Sequence, residues 1–162
     1  MQNQTQLFDL LAQGKIKGFS SIPKLVETVI SRVFIFEQEK QILKFYKRDN
    51  EWWNKGMRDL SQGESRTNFI RQDFAFNQFL NPKIYAALKT AAVRDGLVEL
   101  VEPQEADDEL VIVMNPENVS ATLTEVLFNQ SCSLEECTNI GRTYAQKLKS
   151  LPREFMSAFE TN

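Results

Sequence analysis

The chain has 162 residues, a formal charge of −3 from 19 basic and 22 acidic side chains, and no histidine. Hydrophobic residues at 42% and charged residues at 25% describe an ordinary globular composition with enough chain for its own core, which excludes whole-chain disorder. The lack of histidine excludes Ser-His-Asp and Cys-His catalysis, histidine metal sites and a histidine pH switch, and the balanced charge gives no global pull toward nucleic acid or anionic lipid.

The N-terminal text MQNQTQLFDLLAQGK has no basic region followed by an apolar run, so it does not read as a signal peptide. No apolar stretch reaches the length of a membrane span. Cys132 and Cys137 are the only cysteines. Five residues apart, with no second pair to complete a zinc site, they read as two reduced thiols of a cytoplasmic protein.

Thr5 to Gln13 places Leu7, Leu10 and Leu11 at helical spacing, and Gly14 can stop that helix. Gly18 to Pro23 reads as a turn. Leu25 to Ile30, Arg32 to Glu37 and Gln41 to Tyr46 are short runs rich in Val, Ile and Phe, and they predict three successive strands. Glu37 to Lys40 is short enough for a hairpin connection. Asn50 to Leu60 predicts a helix interrupted by Gly56. Glu64 to Leu80 predicts the longest helix of the first half, with Phe69, Phe76 and Leu80 on one face, and Asn81-Pro82 ends it. Ile84 to Leu88, Val93 to Val101 and Glu109 to Met114 predict three further strands, with an acidic turn over Pro103 to Asp108. A helix is expected from Val119 to Phe128, capped by Asn118 or Ser120. The last helix opens on the capping box Ser133-Leu-Glu-Glu136 and carries the stripe Leu134, Cys137, Gly141, Tyr144, Leu148 and Leu151. The fold class expected is α+β: an antiparallel sheet of about five strands with one long helix packed on it, plus two C-terminal helices. The organisation expected is an N-terminal helix and turn over 1–24, an α+β domain over 25–117 and a two-helix extension over 118–162.

Two charges stand in apolar surroundings. Lys44 shares its strand face with Ile42 and Tyr46, while Leu43 and Phe45 take the other face. Asp73 lies four residues after Phe69 and three before Phe76, in the apolar face of its helix. Each is costly to bury alone, so the economical expectation is that they meet.

The region Val26 to Leu88 resembles the small N-terminal lobe of aminoglycoside-phosphotransferase-like kinases. The text that carries the likeness is ETVISRVFIFEQEKQILKFYKRD followed by SRTNFIRQDFAFNQFLNPKIYAAL, with Arg66, Asp73, Asn77, Leu80, Pro82 and Tyr85 in the family's order. DELVIVMNPENVSATLTEVLFNQSCSLEECTNIGRTYAQKL resembles the last strand, hinge and helices that follow. The resemblance implies that Lys44 reaches nucleotide phosphates and that Asp73 orients it. It also implies that Met114 and Asn115 form the hinge that reads adenine through the backbone. Three departures limit it. The family usually has Glu where Asp73 stands, the turn EQEK has no glycine, and no catalytic loop or metal-binding motif follows.

The function expected is therefore a noncatalytic interaction or regulatory protein, or a truncated domain, with at most weak nucleotide binding. ATP and magnesium enter only if a large lobe is supplied, and in that alternative the chain is the N-terminal part of a complete phosphotransferase. Trp52-Trp53 beside Lys47, Arg48, Lys55 and Arg58 offers a third reading, a small nucleic-acid-binding protein, against which Asp49, Glu51 and Asp59 stand in the same stretch. Trp52, Trp53, Leu134, Tyr144 and Leu148 are the candidate interaction residues, the last three for a protein partner or a second copy. No residues are assigned to a metal.

Overall fold

The computed structural model describes residues 4–61, 63–104, 109–117, 129 and 132–152. The chain forms two compact units, Met1–Pro116 and Glu117–Asn162. The first contains, in order, α1 (Gln4–Ala12), β1 (Lys24–Glu27), β2 (Ser31–Phe36), β3 (Gln41–Tyr46), α2 (Glu51–Gly56), α3 (Gly63–Leu80), β4 (Tyr85–Arg94), β5 (Leu97–Val101) and β6 (Leu110–Met114). The second contains α4 (Leu134–Lys149). The helix expected over 119–128 and residues 105–108 of the expected acidic turn lie outside the described residues.

The six strands form one antiparallel sheet in the order β1-β2-β3-β6-β4-β5. That is α+β as expected, with six strands in the sheet rather than about five. Registers align rows across the sheet, and side chains in one row share a face. Leu25, Phe34, Leu43, Val113 and Ala87 form one such row. On its face, Leu7, Phe8 and Leu11 of α1 pack with Phe34, Phe36, Leu43, Phe45, Val98, Val111 and Val113 in a Phe-rich core. Phe8 meets Phe45 edge-on at 5.6 Å, a favourable geometry for aromatic rings. Val26, Val33, Lys44, Ile112 and Leu88 form the adjacent row, which points to the other face. There Tyr46, Leu110 and Ile112 pack with Leu60 and with Ile70 of α3. The sheet thus lies between α1 and α3, and Lys44 sits mid-sheet on the α3 side.

One boundary corrects the sequence reading. Val93 to Val101 is not one strand. β4 runs on to Arg94, and Asp95-Gly96 turns the chain back into β5, pairing Arg94 with Leu97. Both turn residues have positive φ, 50° and 75°, the backbone that a two-residue hairpin of this twist requires. The β2–β3 turn holds despite lacking glycine, because Lys40 takes the left-handed conformation at φ 52°.

Candidate functional site

Strand period brings Lys44 and Tyr46 to the same face of β3, and α3 lays Asp73 and Asn77, one turn apart, over them. Lys44 and Asp73 do meet: Lys44 Nζ lies 3.4 Å from Asp73 Oδ2, with side chains 20% and 22% exposed. That contact is the longest in the group. The Tyr46 hydroxyl sits between the two charges. It accepts from Lys44 Nζ at 2.7 Å and donates to Asp73 Oδ2 at 2.7 Å. Asn77 Nδ2 donates to Asp73 Oδ1 at 2.9 Å and to the Asp73 carbonyl at 2.8 Å. The short aspartate side chain falls slightly back from the ammonium, and the phenol fills the gap. Burial first, then the Asp73 charge and hydrogen bond, push the Tyr46 phenol far above its ordinary value. Tyr85 is raised too, by burial and by the same carboxylate.

The arrangement joins both charges in one hydrogen-bonded group. Asp73 receives donors on both oxygens, so its lone pairs are largely committed. Lys44 has three donors, of which Tyr46 and Asp73 take two, and its partial exposure leaves the third for solvent or a ligand. Tyr46 is a site residue that the sequence reading did not single out, although its position two residues beyond Lys44 on the same strand face carried the signal.

A second polar group lies deeper and was missed. Glu109, just before β6, is buried with the Arg66 guanidinium of α3. Arg66 Nη2 donates to Glu109 Oε1 at 2.9 Å and to the Tyr46 carbonyl at 2.7 Å. Gln4 Nε2 reaches the same two oxygens, and Arg48 Nη2 lies 3.2 Å from Glu109 Oε2. One carboxylate thereby ties α1, α3 and the end of β3 together. Nothing in the local pattern at Glu109 separates it from a solvated strand end. Only the tertiary placement of Arg66 does.

Met114 and Asn115, the expected hinge, are engaged within the protein. Met114 ends β6, partly buried against the α3-side core. The Asn115 amide donates to the Ile84 carbonyl at 2.8 Å, and its side chain donates to the Lys83 carbonyl at 2.8 Å. An adenine edge read by that amide would compete with Ile84.

The tryptophan region forms α2, opened by Asn50, whose side chain accepts from the Trp53 amide. Trp52 is 68% exposed, while Trp53 packs on the core beneath α3. Each nearby cation has a protein partner. Lys47 donates to the Thr28 carbonyl, Arg48 meets Glu109, Lys55 meets Glu51 at 3.1 Å, and Arg58 stacks on Phe69 at 5.4 Å. An open cavity of about 500 Å³ beside α2 is lined by Arg48, Lys55, Asp49, Glu51 and Asp59 among others, a wall of mixed sign.

In the second unit, α4 opens on the expected capping box, with Ser133 Oγ accepting from the Glu136 amide and Glu136 accepting from the Ser133 amide. No α4 residue is buried. Leu134 is 85% exposed and Tyr144 55%, with Leu148 half-buried. Among the described residues, no three metal-ligating side chains cluster, and no helix is long and apolar enough to cross a membrane. Comparison with protein-family models, curated proteins and solved structures finds no match to this chain.

Proposed function

We propose that this chain is a noncatalytic interaction or regulatory module, built like the small lobe of an aminoglycoside-phosphotransferase-like kinase and binding nucleotide weakly at most. The observation that carries this reading is the state of the Asp73 carboxylate, which accepts from Tyr46, Lys44 and Asn77 at once. A lysine–carboxylate pair of this kind positions a phosphate in a complete kinase, whereas transfer itself needs a base and metal ligands from elsewhere. Here the pair fastens α3 to the sheet and leaves one ammonium donor for a phosphate oxygen.

Calorimetric titration with ATP and magnesium tests this, with ADP formation followed in parallel. The expected result is an isotherm no tighter than about 1 mM, weakened further in Lys44→Met, and no ADP formed. Micromolar binding or turnover of ATP overturns the reading.

The exposure of Leu134 and Tyr144 favours a second role, as the surface that takes a protein partner, a second copy or a missing large lobe. Sedimentation of the chain at high concentration checks the self-association arm. A dimer that is lost in Leu134→Lys supports it, and a clean monomer removes it.

A further inference from the structure

We propose that Cys132 and Cys137 form a modification site, a dithiol that closes to an intramolecular disulfide on exchange with a low-molecular-weight disulfide. The two sulfurs are 3.3 Å apart, and both residues are partly exposed. Their closeness follows from the helix start. Ser133 is the N-cap of α4, so Cys132 stands just before the cap and Cys137 is the fourth helical residue. Those are the positions at which an apolar pair commonly clamps a helix entry across a capping box. Here the clamp is made of two thiols. The reciprocal Ser133–Glu136 bonds hold the backbone between them, so the pair is organised before any oxidant arrives. Closing the pair to bonding distance, about 2.05 Å, takes a sulfur displacement of little more than one ångström.

The exchange balances. One cysteine, as thiolate, attacks a sulfur of the small disulfide and expels one small thiolate, leaving a mixed disulfide on the protein. The second cysteine gives up its proton and attacks the protein sulfur of that mixed disulfide, expelling the second small thiolate. Two protein thiols are oxidised to one disulfide. One small disulfide is reduced to two thiols, which take up the two protons. The proposal uses neither Lys44 nor Asp73, and its test does not depend on nucleotide binding.

The test incubates the full chain with glutathione disulfide and reads intact mass and free thiols. The expected product loses about 2 Da, has no titratable thiol, and returns to the starting mass with dithiothreitol. Cys132→Ser and Cys137→Ser should each instead accumulate a single glutathione adduct of about 305 Da, because the resolving sulfur is gone. Ser133→Ala, which loosens the cap while keeping both thiols, should close about fivefold more slowly. A wild-type chain that accumulates two glutathione adducts, or that keeps both thiols free while a model peptide thiol reacts, overturns the proposal. Closure at an unchanged rate in Ser133→Ala overturns the role given to the cap.

Discussion

The Asp73 carboxylate stops 3.4 Å from Lys44, and the Tyr46 hydroxyl makes a shorter bond to each of them. The phenol bridges the two charges, so each has a polar partner. Lys44 and Asp73 were legible from sequence because each broke an apolar pattern. Glu109 was not, since a carboxylate at a strand start breaks none, yet it holds the more buried group of charges. Glu109→Gln keeps the shape and removes the charge, leaving Arg66 with no anion at 2.9 Å. The expected cost is about 3–5 kcal/mol, read as a lowered urea midpoint with an unchanged slope. Glu39 makes a pH-dependent contribution of its own. Its carboxylate accepts from the Ser21 hydroxyl and from the Ser20 and Ser21 amides, which tie the segment before β1 to the β2–β3 turn. The Ser21 hydroxyl, then the Ser20 amide, hold its carboxyl down at about 2, against an ordinary 4.5. A depressed folded value means support that is complete above 4.5 and is lost as pH falls toward 2. The gap in urea midpoint between wild type and Glu39→Gln is therefore full at pH 6 and closes across that acid window.

At the scale of elements, the boundaries followed backbone chemistry more than side-chain composition. Gly14 ends α1 at φ 70°, and an added Cβ there would stand 2.8 Å from the Ser21 carbonyl oxygen. Gly96 is also left-handed, at φ 75°, but faces open space. Gly96→Ala is expected to cost about 1 kcal/mol, from conformation alone. Gly14→Ala is expected to cost about 2–3 kcal/mol, because the backbone of the following loop must also move. Thermal melts of the two variants side by side give the comparison. Asp95-Gly96 shows why one strand boundary went unread. The dipeptide is a strong hairpin signal, but the apolar residues on both sides of it merged into one apparent run. By contrast, the α4 start was legible because its capping box is a four-residue pattern that needs no tertiary partner.

Across the whole molecule, the sheet separates two different interiors. The α1 side is an aromatic core, the α3 side carries the Lys44, Tyr46 and Asp73 group, and the Glu109 group bridges α1 and α3 at the end of β3. The two sheet edges differ as well. β5 is flanked by Lys15–Lys17, which exchange backbone hydrogen bonds with Val98, whereas β1 is short and exposed along its length. Alternation within strands made the two faces readable from sequence. The strand order was not readable, because inserting β6 between β3 and β4 depends on contacts far apart in the chain. That insertion sets Ile112 beside Lys44 in the sheet. Lys44 and Asp73 fasten α3 to the sheet as a coupled pair rather than standing as two independent surface charges. A double-mutant cycle of Lys44→Met and Asp73→Asn, read by urea unfolding, tests it most directly. A coupling of about 1–2 kcal/mol between the two substitutions is the expected result. Strict additivity, to within about 0.3 kcal/mol, would contradict it.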